Sequence, residues 1–174
     1  MTHRFDRRDF LRAGATALGG VALGALAGRA LGAQQGTAPG AQALPTMTVY
    51  KSPSCGCCGA WVDHAKSNGF TVRTVNTEDL ATVKRELGVP ARLASCHTVV
   101  VGSYIIEGHV PAGDVKRLLT EKAKVRGLAV PGMPIGSPGM EQGPPSGYER
   151  YDVLAFETSG AVRVFASHGP PVRR

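Results

Sequence analysis

Three of the four cysteines of this chain fall within four positions, in Ser52-Pro53-Ser54-Cys55-Gly56-Cys57-Cys58-Gly59-Ala60-Trp61. Cys55 and Cys58 have the C-x-x-C spacing of a redox dithiol. Cys55, Cys57 and Cys58 together offer three sulfur ligands from one loop, and soft thiolates select Cu(I), zinc or iron–sulfur centres over hard cations. Two chemistries are therefore open: thiol–disulfide exchange, with Cys55 as nucleophile and Cys58 as resolving thiol, and soft-metal binding. A pair of scaffold disulfides is the competing structural reading. It is disfavoured because neighbouring Cys57 and Cys58 rarely bridge each other and disulfide geometry is demanding.

The elements around the loop suit this chemistry. A short apolar run, Met47-Thr48-Val49-Tyr50, precedes the cysteines, and Cys58, Trp61, Val62 and Ala65 follow at i, i+3, i+4, i+7, one face of a helix. The thiols thus stand where a strand ends and a helix begins. Unpaired N–H groups and the positive end of the helix dipole stabilise a thiolate there.

Further along, the patterns predict a strand over 46–51 and a helix from Cys57 or Cys58 to Ser67-Asn68-Gly69. Phe70–Val75 alternates as a half-exposed strand, and Glu78-Asp79 opens a helix carrying Leu80, Val83 and Leu87 that stops at Gly88. Thr98–Val101 is continuously apolar, the mark of a buried central strand, and Gly102-Ser103 turns it into Tyr104–Glu107. A helix over 112–124 buries Val115, Leu118, Leu119 and Ala123. Residues 125–149 read as a long Gly/Pro-rich loop without a periodic pattern, and Tyr151–Phe156 with Ala161–Phe165 as a last hairpin. The order β-α-β-α-β-β-α is that of a thioredoxin-like α/β fold, in which the redox loop follows the first strand.

In that fold the segment entering the buried strand faces the redox loop and usually carries a cis-proline. Here it is Ala94-Ser95-Cys96-His97-Thr98, with no proline. A fourth sulfur opposite three others builds a metal pocket, although a cysteine can also serve as a small buried hydrophobe. His97 is either a ligand, or support for one, or a strand-edge residue; strand alternation points it away from Cys96. Met133 and Met140 each follow a glycine in the long loop, a poor place for apolar side chains unless they fold over something, and thioether sulfur favours Cu(I). His64, beside the apolar helix face, and His109, in a turn, read as structural; His168 near the tail could serve as a mobile ligand.

The net charge of +7 is not concentrated on the folded part. Residues 1–33 hold five arginines against two aspartates, which leaves fifteen basic and eleven acidic residues elsewhere without a basic run. Nucleic acid is therefore not an expected partner. Asp6-Arg7-Arg8-Asp9-Phe10-Leu11 and the apolar stretch Ala13–Ala27 resemble a twin-arginine signal over 1–33, cleaved after Ala27 or Ala33. The stretch is short of the roughly twenty residues that span a bilayer, so no stable insertion after cleavage is expected. Residues 34–45, rich in Gly, Pro and Gln, read as a linker, 46–168 as the domain and 169–174 as a tail. Export places the thiols in an oxidising periplasm, where they form disulfides or are held by a metal or by reductant.

Tyr50-Lys51-Ser52-Pro53-Ser54-Cys55-Gly56-Cys57-Cys58, Ser95-Cys96-His97-Thr98, Glu107-Gly108-His109-Val110-Pro111 and Val130-Pro131-Gly132-Met133-Pro134 through Gly139-Met140-Glu141 together resemble the CopG-like copper-resistance proteins. These are periplasmic proteins of thioredoxin-like fold, long catalogued as a domain of unknown function, and the likeness covers about residues 46–168. The resemblance implies copper binding by the cysteines at more than one ion, with Cu(I)/Cu(II) redox handling in copper resistance.

The expected function is a periplasmic protein that sequesters, transfers or oxidises Cu(I), with copper ions and another periplasmic copper protein as partners. Cys55, Cys57, Cys58 and Cys96 supply thiolates, and His97, Met133 and Met140 are candidate auxiliary ligands. Bridging sulfurs let four cysteines hold several ions. Zinc fits the four-sulfur count but ranks behind copper, since the fold already has a core and needs no metal to hold it together. Thiol–disulfide exchange by Cys55 and Cys58 is the alternative from a different class.

Overall fold

The computed structural model describes residues 43–170. The signal peptide expected over 1–33, most of the linker and the last four residues of the tail lie outside the described residues. Residues 43–46, the described end of the linker, take no regular structure.

Among the described residues, seven strands and three α-helices follow one another as β1 (Met47–Lys51), α1 (Gly56–Ser67), β2 (Val72–Asn76), α2 (Leu80–Glu86), β3 (His97–Val101), β4 (Tyr104–Glu107), α3 (Ala112–Glu121), β5 (Gly127–Ala129), β6 (Tyr151–Phe156) and β7 (Val162–His168). The strands form one sheet in the order β2-β1-β3-β4-β5-β6-β7. β1 pairs in parallel with β2 and antiparallel with β3, and β4 pairs in parallel with β5. The expected α/β class, compatible with a thioredoxin-like fold, holds. β3 lies between β1 and β4 at the heart of that half of the sheet, as its unbroken apolar run demands.

Alternation divides the strand residues between two faces. Met47, Val49, Val99, Val101 and Ile106 meet Trp61, Val62 and Ala65 of α1 and Val115 and Leu118 of α3 in the main core. Trp61 is wholly buried and donates its indole N–H to the Val110 carbonyl at 2.9 Å. Burial of a ring that size contributes about 3 kcal/mol, provided the N–H is satisfied. The opposite face carries a smaller cluster, Val89, Leu93, Ile105, Ala129 and Phe156. There α2 lies with no buried residue of its own; Asp79 caps it by accepting the Thr82 N–H at 3.0 Å.

Two expectations need correction. Helix α1 begins at Gly56, one or two positions early, because Cys55 itself is the N-cap. Residues 125–149 are not loop throughout: Gly127–Ala129 forms β5, inserted between β4 and β6, so the last hairpin extends the main sheet rather than standing apart. Three residues are too few for a periodicity to show, and all three are buried on both faces.

Candidate metal centre

Cys55 closes the turn after β1, its N–H donating to the Ser52 carbonyl at 3.1 Å, and its own carbonyl accepts the Gly59 N–H at 3.2 Å to start α1. Beneath this turn Lys51, buried at the end of β1, donates to the Ser52 carbonyl at 2.7 Å. The cysteines are thus presented in the first turn of α1, where the helix dipole is positive. Cys55 and Cys58 are joined by a disulfide with Cα atoms 5.4 Å apart, while Cys57 and Cys96 are free thiols. Cys57 Sγ lies 3.5 Å from Cys55 Sγ. Cys58 Sγ is 3.7 Å from the carbonyl oxygen of Cys96, a residue 38 positions away. All four sulfurs lie within 4.8 Å of one another.

Cys96 sits in a bend just before β3 and joins a second group. Its sulfur is 3.4 Å from His97 Nδ1 and 3.0 Å from His109 Nε2. The sulfur and the two imidazoles again lie within 4.8 Å of one another. The expectation that alternation turns His97 away from Cys96 therefore fails. Alternation applies only inside a strand, and β3 begins at His97. The His97 ring faces the α1 side of the sheet, 4.8 Å from the Trp61 ring, while the bend brings the Cys96 sulfur round to the same side.

His109, read from sequence as a structural turn residue, is placed by the fold beside Cys96 and joins the candidate site. It is fully buried, and its Nδ1 lies 2.8 Å from the Pro138 carbonyl oxygen. A carbonyl only accepts, so Nδ1 carries the proton and Nε2 turns a lone pair toward the Cys96 sulfur. An imidazole oriented through its far nitrogen in this way is the form in which histidine ligates metals.

Burial favours the neutral forms of Cys96, His97 and His109. Burial pushes the Cys96 thiol up to about 12, helped by the neighbouring Cys57. Burial also holds His97 well below its ordinary value, with His109, Lys84 and Lys51 acting in the same direction. His109 is lowered by burial too, against the opposing pull of the Pro138 carbonyl and Glu141. Both rings are therefore neutral imidazoles at neutral pH, the form that binds metals. His97 Nε2 is buried without a hydrogen-bond partner, an unmet polar atom on the ring whose Nδ1 lies against the Cys96 sulfur.

The loop after β5 folds over this cluster. Gly139 (φ +82°) packs so closely that an added Cβ would stand 2.7 Å from both the Cys57 carbonyl oxygen and the Trp61 nitrogen. Met140, next in sequence, is buried; Met133 is half exposed on the stretch whose Gly132 carbonyl accepts from the Ser95 hydroxyl. His168 does not approach the cysteines. Its Nε2 lies 2.6 Å from Asp114 Oδ2, pinning β7 to α3. His64 Nε2 accepts the Ala112 N–H at 3.1 Å and ties α1 to the start of α3.

A family model described as a protein of unknown function, DUF411, matches residues 93–140, the span from Leu93 through Cys96, His97 and His109 to Met140. Two solved structures of a copper resistance protein, CopG, resemble the chain at 42% identity with TM-scores of 0.68. The first form covers 73% of this chain and 99% of its own, the second 72% and 98%. No curated protein matches significantly.

Proposed function

This chain belongs to the family of the copper resistance protein CopG, and from that premise we propose that it is an exported periplasmic protein whose cargo is copper. A role in copper resistance rests on those homologues and on the four-cysteine cluster. The observation that carries the finer reading is the gathering of Cys55, Cys57, Cys58 and Cys96 within 4.8 Å, three from a helix mouth and one from the facing strand entry. Soft sulfur donors with neutral imidazoles beside them suit Cu(I) better than any hard cation. Because Cys96 borders both the sulfur group and the imidazole group, we assign it the bridging position of a site holding more than one ion. His97 and His109 supply nitrogen, and Met133 and Met140 the auxiliary thioethers.

The Cys55–Cys58 disulfide withdraws two of the four donors. Two electrons and two protons from a dithiol reductant convert it to two thiols, so loading follows reduction. Sequestration of Cu(I) is the role this arrangement serves most directly. Export itself is supported by the twin-arginine-like leader at Arg7-Arg8.

Metal analysis and copper K-edge absorption on protein taken from copper-fed periplasm test the proposal. More than one copper per chain in a sulfur-rich shell is expected, with the count sharply lower in Cys96→Ser. An unchanged count in that variant removes Cys96 from the site.

The disulfide itself favours one second reading, a thiol–disulfide oxidoreductase with Cys55, the more exposed sulfur, as the point of attack. Against it stand Cys96 in the segment where a peptide-positioning proline is expected, with His109 against its sulfur, and no cis peptide bond occurs among the described residues. Robust insulin reduction by metal-free protein would select this reading instead.

A further inference from the structure

Cys96 precedes β3 in a bend, so no sheet ladder fixes its direction. Its neighbour Ser95 is held instead, and by a charge. The Ser95 N–H donates to Glu107 Oε1 at 2.6 Å. Glu107 ends β4 with its carboxylate wholly buried on the α2 face of the sheet, opposite the sulfur cluster. Its second oxygen accepts the Thr98 hydroxyl at 2.7 Å, and Lys84 of α2 donates to Oε1 at 2.5 Å. The next residue, Gly108 (φ +74°), lets the chain press against Ser95: an added Cβ would stand 2.5 Å from Ser95 Oγ and 2.6 Å from the Val130 carbonyl oxygen.

Burying a carboxylate is costly unless every lone pair is used, and an apolar pair of similar volume would serve stability as well or better. An anion kept in this place therefore calls for a further use. Of its donors, the Ser95 N–H alone belongs to the chain that carries Cys96 into the site from outside the sheet. We propose that Glu107 is a positioning residue that fixes the Ser95 backbone and thereby aims the Cys96 sulfur at the three sulfurs of the helix mouth. Lys84 neutralises the carboxylate, Gly108 admits the close approach, and His109, two residues on, meets the sulfur so aimed. The consequence for metal rests on the copper reading above; the geometric claim does not.

The test compares two double variants that both remove the buried charges. Lys84→Met/Glu107→Gln keeps an oxygen for the Ser95 N–H, whereas Lys84→Met/Glu107→Met keeps the volume and loses the acceptor. In reduced, metal-free, folded protein, iodoacetamide labelling of Cys96 is followed by peptide mass spectrometry, and copper per chain is counted separately after reconstitution with Cu(I). The Gln variant is expected to label at close to the parent's rate and keep the parent's count. The Met variant is expected to label about tenfold faster, the change expected when one strong hydrogen bond to the backbone is lost, and to hold less copper.

Equal labelling in the two variants overturns the proposal, whatever the copper count. Separated labelling with no copper bound even by the parent would sink the copper reading and leave the positioning role standing. Should the Met variant fail to fold, amide exchange at Ser95 in the parent decides: marked protection supports the clamp, and exchange as fast as in an open loop refutes it.

Discussion

The sulfur of Cys96 stands 3.0 Å from Nε2 of His109, on two stretches of chain that hairpin register brings side by side just beyond the β3–β4 ladder. Val101 pairs with Tyr104 across Gly102-Ser103, and Thr98 pairs with Glu107 at the far end of the ladder. Continued past the last paired residues, the same register sets His97 against Gly108, where the Gly108 N–H indeed donates to the His97 carbonyl at 3.0 Å, and Cys96 against His109. A two-residue turn thus decides which side chain meets the fourth sulfur.

On the proposed copper reading, that pairing gives His109 a part in copper affinity. His109→Ala is expected to weaken Cu(I) binding by about 10–100-fold, the usual cost of losing a metal ligand or its support, while all four cysteines remain titratable. Competition against a Cu(I) chelator measures it. An affinity equal to the parent's would return His109 to a purely structural role.

Gly139 holds the covering loop against α1 with positive φ and no room for a side chain. Gly139→Ala must adopt a left-handed conformation that costs an alanine about 1–2 kcal/mol, and its methyl strikes the Cys57 carbonyl as well. We expect a melting temperature lower by several degrees and faster alkylation of Cys57 in reduced protein. A melt and labelling rate matching the parent would show that the loop does not cover the site in solution.

His64, at the far end of α1 from the cysteines, gives the fold a pH dependence of its own. Its Nε2 must be unprotonated to accept the Ala112 N–H, and its pKa is lowered by burial first, with Lys116 in the same direction and Glu141 opposing. A lowered folded-state pKa means the unfolded chain takes up the proton first as the solution is acidified. The stability His64 contributes is therefore present above about pH 6.5 and lost as pH falls below it. Urea unfolding at pH 7.5 and 5.5 should show the parent losing more stability than His64→Gln, by an amount on the order of one hydrogen bond, about 1 kcal/mol. Equal losses would exclude the effect.

Lys84 and Glu107 form the buried ion pair of the α2 face, at 2.5 Å. Glu107 is pushed above the usual carboxylate range by burial, with Lys84 opposing, so removing the lysine strands a carboxylate with too few donors. Lys84→Met alone is expected to cost about 3 kcal/mol, and Lys84→Met/Glu107→Gln to recover most of it. Chemical denaturation of the three proteins checks this; no recovery in the double variant would mean that packing of Lys84, rather than its charge, matters.

Much of the site could be read from the chain as a string. Three cysteines in four positions, between an apolar run and a helical stripe, place thiols at a helix mouth, and a cysteine where the fold expects proline marks the opposing donor. His109 could also have been found. The Gly102-Ser103 turn sets the register, and counting outward from it reaches Cys96 and His109 together. Strand β5 could not: Gly127–Ala129 is too short to show a period and takes its identity from the neighbours on either side.

What the sequence determined unaided was the local chemistry: sulfur type and spacing, the helix behind it and the α/β order, because propensity and periodicity act over a few residues. Tertiary structure alone decided which distant groups converge. The bend before β3 swings Cys96 to the side of His97, Pro138 selects the tautomer of His109, and Glu107 reaches from the far face of the sheet to Ser95. The last two depend on the packing of segments distant in the chain, and no local pattern encodes such a distance.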